Sequence, residues 1–202
     1  MTQTSTEHRG RGDLDRASPT SGWVLLLTGA IGLFSASALI VEKVHLLENP
    51  QADLSCDLSA FVGCGGVVNT DQASAFGFPN PLIGVVGFAI VMFVGALLVA
   101  RGSVPRPLWA GLAVGTVFGV LFTGWLQVQS LLVLEMLCPY CLVVWLVMIP
   151  LSITVLKETL MAFRPDSVIA RAVEHWGVLV GSLWLIALLS AIWFTFGERL
   201  WA

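Results

Sequence analysis

The chain has 202 residues, of which 56% are hydrophobic and 11% are charged, with a formal net charge of −3. Soluble domains usually carry about 25% charged residues, so the composition excludes an ordinary soluble protein and predicts an integral membrane protein. No run of basic residues indicates a nucleic-acid partner, and the length predicts a single domain.

The first 21 residues form a polar N-terminal segment without a run of apolar side chains. Low hydrophobicity of this kind is typical of disorder, so residues 1–21 are predicted to be a disordered cytoplasmic tail. The segment is too long for a signal peptide, and the apolar run after it is close to a full span. Residues 22–202 then form one predicted transmembrane domain.

Five apolar segments follow the tail, each near the roughly 20 residues that a helix needs to cross a bilayer. Glycines recur inside them, for example Gly87, Gly95, Gly111 and Gly115. Small residues at helical spacing let helices approach closely, so we predict a compact bundle; lipid-facing glycines without a packing role are the alternative. The predicted spans are residues 22–41, 81–100, 108–132, 138–156 and 176–196.

Charged residues near the predicted spans indicate the orientation of the chain, because Lys and Arg concentrate in cytoplasmic segments. With the N-terminus inside, eight of these residues lie inside and two outside. We therefore predict a multi-pass plasma-membrane protein with a cytoplasmic N-terminus and an extracytoplasmic C-terminus. This orientation places residues 42–80 and 133–137 outside, and it places all four cysteines at or near the outer face.

The predicted outer loop, residues 42–80, is long enough to be functional rather than a simple connection. Residues 65–77 are expected to include a short helix that lies on the bundle. Asn80 precedes Pro81, and an N-cap asparagine followed by proline is typical of a helix start. The predicted fold is thus an all-α integral membrane protein with a long extracytoplasmic loop that contains a short helix.

A Cys-x-x-Cys motif, Cys138-Pro139-Tyr140-Cys141, begins the fourth predicted span. Such a motif is a redox pair or half of a metal site. The two thiols share one helix face, and the helix N-terminus favours a thiolate at Cys138. Cys141 lies deeper, which suits transfer to an acceptor dissolved in the membrane. The alternative is a pair of inert small core residues.

The other cysteines, Cys56 and Cys64, lie close together in the glycine-containing outer loop. This pair can form a disulfide of its own or exchange with another thiol, and exchange would relay electrons. A purely structural disulfide is the alternative. A zinc site made of all four cysteines is disfavoured, because the spacing and the apolar surroundings do not suit tetrahedral convergence.

Three motifs together resemble vitamin K epoxide reductase (VKOR) homologues. They are Cys-Asp-x6-Cys in the first outer loop, Asn80 before the second span, and Cys-x-x-Cys at the start of the fourth span. The passage from Asp71 to Pro81 is similar to actinobacterial members in particular. The resemblance covers about residues 22–156, and the last predicted span is similar to the fifth helix of bacterial members.

The resemblance implies a four-helix bundle around a quinone plus a fifth transmembrane helix, with the outer loop as a lid. It also implies a role for each cysteine. Cys56 would meet the redox partner protein, and Cys64 would carry electrons onward by bonding Cys138. Cys141 would reduce the quinone.

Three further residues are implied as quinone-binding. Asn80 matches an asparagine that hydrogen-bonds the quinone carbonyl in vertebrate relatives, although an Asn-Pro helix start would explain it equally. Trp145 stands where those relatives have a tyrosine; it offers only an indole N–H and is also explained by packing. Ser74 is similar to a serine near the loop–helix junction of bacterial members and has a structural alternative.

The function predicted is a quinone-dependent thiol:disulfide oxidoreductase that supports disulfide bond formation. Its expected partners are a separate extracytoplasmic DsbA-like thioredoxin-fold protein, because no thioredoxin-like domain follows the fifth span, and a membrane quinone, menaquinone if the actinobacterial likeness holds. No metal is expected. DsbB-type bundles are disfavoured because their Cys-x-x-Cys lies in the first outer loop, and nearly charge-free spans disfavour transport. The alternative is a metal-binding or structural membrane protein.

Overall fold

Helices dominate the computed structural model, which describes residues 14–50, 54–57 and 62–200. A 3-10 turn, Asp71–Ser74, precedes α3, and α4 continues into a π-helical segment, Gln129–Val133. The α-helices are α1 (Pro19–Glu48), α2 (Gly65–Val68), α3 (Pro81–Arg101), α4 (Arg106–Val128), α5 (Pro139–Phe163) and α6 (Val168–Leu200).

Five of these helices, all but the short α2, are long and apolar enough to cross a membrane. The predicted all-α membrane architecture is therefore confirmed. Several helix ends lie beyond their predicted positions: α1 continues through Glu42 and Lys43 to Glu48, although its span was predicted to end at residue 41. The helix continues because both charged side chains find partners, Glu42 with Ser55 and Lys43 with Val68.

The N-terminal segment is more ordered than the sequence predicted. Strand β1 (Leu14–Arg16) pairs antiparallel with strand β2 (Ser103–Pro105), which joins α3 to α4. Helix α1 then begins at Pro19. The prediction of disorder through residue 21 is therefore wrong for residues 14–21, because β1 pairs with β2 and the residues after it enter α1. Residues 1–13 lie outside the described residues. We call this end of the bundle the ribbon end.

The bundle is built from α1, α3, α4 and α5. Helix α1 packs against α3 and α5, α4 packs against α5, and α6 packs on the outside of α5. The α1–α3 contact is a close one, because an added Cβ at Gly29 would meet the Met92 backbone and one at Gly95 would meet the Leu26 backbone. A four-helix bundle with a fifth helix at its side is therefore the architecture observed.

Candidate functional site

The four cysteines meet at the end of the bundle opposite the ribbon, which we call the cysteine end. Cys56 and Cys64 form a disulfide, whereas Cys138 and Cys141 are free thiols. The Sγ atoms of Cys64 and Cys138 are 3.6 Å apart. Cys64 and Cys138 are almost completely buried, so the contact between the two pairs is shielded from solvent.

Backbone pairing brings Cys64 beside Cys138. Val62 and Leu137 form a parallel bridge, and the N–H of Gly63 donates to the carbonyl of Leu137 at 2.9 Å. Cys64 follows Gly63 and Cys138 follows Leu137, the two residues that this hydrogen bond joins. Two short extended segments therefore align the sulfurs of Cys64 and Cys138, and the sequence separation of 74 residues explains why no local pattern predicts the contact.

Cys138 is the N-cap of α5, and Pro139 is its first helical residue, as the sequence predicted. The pKa of Cys138 is lowered mainly by a hydrogen bond with the Cys141 thiol. Burial opposes this shift, and hydrogen bonds with the backbone of Cys141 and Tyr140 support it. The direction agrees with the predicted thiolate, although a neighbouring thiol contributes more than the helix terminus.

A cavity of about 800 Å³ extends from the cysteine end down between the helices of the bundle. Its wall is almost entirely apolar and includes the Cys141 side chain. Added Cβ atoms at Gly87, Gly111 and Gly115 would meet nothing within 4 Å, so bare backbone forms part of this wall. The predicted helix packing through these three glycines is therefore wrong; they face the open space between α3 and α4.

Asn80 lies on the cavity wall but does not cap α3 with its side chain. Its Oδ1 accepts from the backbone N–H of Ala75 at 3.1 Å, and its Nδ2 donates to the carbonyl of Gln72 at 2.6 Å. Asn80 therefore occupies the predicted N-cap position before Pro81, but its side-chain amide binds these loop backbone groups instead of the first turn of α3. Asn80 instead ties the lid segment, residues 65–79, to the start of α3.

The short helix predicted within residues 65–77 occurs as α2 and the 3-10 turn, and the lid segment covers one end of the cavity. Ser74 is not on the cavity wall, and its carbonyl accepts from the N–H of Gly77 at 2.9 Å. The structure therefore does not bring Ser74 together with Cys141, and its quinone-binding role stays a prediction.

Trp145 lies on the cavity wall one turn below Cys141 and is only 2% exposed. It packs in a cluster with Leu131, Leu137 and two residues of α6, Leu188 and Phe196. Helix α6 therefore supports the site from behind. Sequence reasoning had treated the fifth span only as an additional helix, because its contact with Trp145 is not visible in local periodicity.

Sequence reasoning also missed the polar side chains that hold the cysteine loop. The Oδ1 atom of Asp57 accepts from the backbone N–H groups of Cys64 at 2.8 Å and Gly65 at 3.1 Å. Glu42 accepts from the Ser55 hydroxyl, and the Nζ atom of Lys43 donates to a lid carbonyl. Asp57 is the aspartate of the Cys-Asp-x6-Cys motif, which was the available signal, but the motif alone assigns this side chain no role.

Within the described residues, no group of three or more His, Cys, Asp or Glu side chains is placed to hold a metal ion. The arrangement instead sets a disulfide beside a free thiol pair, with one thiol on the wall of an apolar cavity in a membrane bundle. These features define a membrane thiol–disulfide oxidoreductase.

The family comparison agrees with this class. The model of the vitamin K epoxide reductase family matches residues 23–156, more than half of the chain, and the chain belongs to this family. Its members use a quinone in general. None of the curated proteins compared with the chain matches it. The predicted family is thus confirmed.

Proposed function

We propose that the protein oxidises the thiols of an extracytoplasmic protein and passes the electrons to a membrane quinone. The single observation that carries this proposal is the 3.6 Å separation of the Cys64 and Cys138 sulfurs. It links the loop disulfide to a thiol pair whose second member, Cys141, lies on the cavity wall. A route for electrons from the loop to a membrane-embedded site follows.

The proposed electron relay consists of successive thiol–disulfide exchanges that conserve electrons and protons. A partner dithiol reduces the Cys56–Cys64 disulfide and leaves as a disulfide. The Cys64 thiolate then attacks Cys138 of an oxidised Cys138–Cys141 pair, and Cys56 resolves the mixed disulfide, so that the loop disulfide re-forms. Two electrons and two protons now reside on Cys138 and Cys141, which is the state in the structure. Transfer of both to the quinone gives quinol and restores the Cys138–Cys141 disulfide.

The cavity suits a quinone in size and in chemistry. Ligand pockets typically enclose about 300–1,000 Å³ and are mostly apolar with few polar groups. Asn80 uses one Nδ2 hydrogen on Gln72, and the amide carries a second. We propose this hydrogen and the indole N–H of Trp145 as donors to the quinone, and menaquinone as the quinone used.

The proposed protein donor is DsbA-like, with Cys56 as the cysteine it attacks. Cys56 is only 5% exposed. A protein thiol therefore reaches it only after residues 54–57 move, and the Ser55–Glu42 hydrogen bond is among the contacts that hold this segment. The basic residues Arg101, Arg106 and Arg164 lie near the ribbon end, which supports a cytoplasmic ribbon end and an extracytoplasmic cysteine end.

The test is anaerobic mixing of the purified protein with a quinone and a thiol donor, with quinone absorbance followed. Cys141→Ala should form no quinol with any donor, because it removes the thiol on the cavity wall. Cys56→Ala should slow a reduced thioredoxin-fold donor far more than a small dithiol, which reaches the inner pair directly.

Equal losses with both donors in Cys56→Ala would contradict the relay order. Binding of zinc or copper near one equivalent, without thiol-dependent quinone reduction, would overturn the proposed function and favour a metal-binding protein.

A further inference from the structure

The Asp57 carboxylate lies at the point where the loop disulfide meets the inner thiol pair. We propose that Asp57 is a positioning residue that keeps Cys64 aligned with Cys138 after the Cys56–Cys64 disulfide has opened. This inference rests on the proposed function and adds to it the group that makes the inner exchange fast. It concerns the backbone around Cys64, to which Asp57 binds directly.

The loop is shaped to receive this carboxylate. Gly63 and Gly65 flank Cys64, and a Cβ added at Gly63 would collide with the Asp57 carboxylate. A Cβ added at Gly65 would lie 3.1 Å from the Oδ2 atom of Asp57. Side chains are therefore absent on both sides of Cys64 where the carboxylate lies, which lets one oxygen reach two consecutive N–H groups.

Opening of the disulfide removes the covalent cross-link that ties the Cys64 side chain to Cys56. The remaining anchors are hydrogen bonds that do not depend on the redox state of the sulfur. The N–H of Gly63 donates to Leu137, and the Nζ atom of Lys43 donates at 2.9 Å to the carbonyl of Val68 at the far end of α2. Asp57 alone among these binds the N–H of Cys64 itself.

Charge and geometry can be separated at this position. The Asp57 charge slightly opposes the lowered pKa of Cys138, so its loss favours the Cys138 thiolate. Asparagine keeps an Oδ1 acceptor without the charge, whereas alanine removes both. Positioning through the two N–H groups therefore predicts that Asp57→Asn resembles the wild type and that Asp57→Ala does not.

The first measurement needs no quinone. With Cys56→Ser and Cys141→Ser introduced, only Cys64 and Cys138 can pair, and the fraction of this disulfide in glutathione buffers gives their effective concentration. Asp57→Ala should lower the effective concentration by about 10-fold or more, because hydrogen bonds to a charged group and precise placement both contribute. Asp57→Asn should stay within about 3-fold of the parent.

The second measurement follows quinol formation after the fully reduced protein is mixed with excess quinone. The Cys138–Cys141 pair supplies a first phase, and the loop pair supplies a second phase through Cys64 and Cys138. Asp57→Ala should slow only the second phase, by about 10-fold or more. Asp71→Ala removes an exposed carboxylate of the lid segment and is the matched control, with both phases expected unchanged.

Several results would overturn the role of Asp57: an unchanged effective concentration in Asp57→Ala, an equal slowing of both phases, or an Asp57→Asn protein as impaired as Asp57→Ala. Absence of quinol formation by the wild type would instead contradict the proposed function. The glutathione equilibrium would still decide the role of Asp57 in that case, because it measures alignment of two thiols alone.

Discussion

Glycines have different structural roles on the two sides of α3. On the α1 side, Gly29 and Gly95 bring two helix backbones into contact. On the α4 side, Gly87, Gly111 and Gly115 face the open space of the cavity. The same residue type therefore closes one interface and holds another open, and the neighbouring backbone decides which role a glycine has.

The largest effect is expected from filling the open side. Gly115→Leu places a side chain in the cavity, and we expect the protein still to fold. Its rate of quinone reduction with a small dithiol should fall by roughly 100-fold, because misplacing a substrate by about 1 Å already has effects of this size. Gly124→Leu is the matched control, because Gly124 is on the same helix, has open space around it and does not line the cavity. Equal activities of the two variants would show that the cavity is not the quinone site.

A smaller effect is expected when alanine replaces glycine on each side. Gly95→Ala forces the α1 and α3 backbones apart, so we expect the free energy of unfolding to fall by roughly 1–3 kcal/mol. Gly111→Ala meets no neighbour and gains helix propensity, so it should be neutral or stabilising by up to about 1 kcal/mol. Thermal unfolding in detergent measures both, and a loss of similar size in the two variants would contradict the distinction.

The smallest effect is expected on the pKa of Cys138. Cys138 is buried in the apolar cluster around the cysteine loop, whereas Cys141 lines the cavity. In a protein with Cys56→Ser and Cys64→Ser, Cys141→Ala removes the hydrogen bond that lowers the pKa of Cys138. That pKa should rise, so at a given pH below it a smaller fraction of Cys138 is thiolate. A titration followed by thiolate absorbance measures the shift, and an unchanged or lower pKa would contradict it.

Helix ends and loop anchors were less predictable than the spans. The end of α1 was missed because Glu42 and Lys43 look like the start of a polar loop, whereas both side chains have partners more than ten residues away in the chain. Asn80 occupies the predicted N-cap position of α3, yet its side-chain amide binds the lid backbone. In each case a tertiary partner competes with the local one.

The sequence by itself determined the class of protein, the number of membrane-spanning helices, the start of α5 at Cys138 and the membership of a known family. Composition and apolar length are sufficient for the first two, because a bilayer requires long apolar helices. The family resemblance already implied that Cys64 meets Cys138, and the structure places their sulfurs 3.6 Å apart. Only the tertiary structure decided that Asp57 binds the Cys64 backbone and that glycines open one helix interface while closing another. The glycine contacts depend on how the helices pack. The Asp57 contact spans only seven residues, but it depends on how the loop folds back on Cys64, which no periodic sequence pattern indicates.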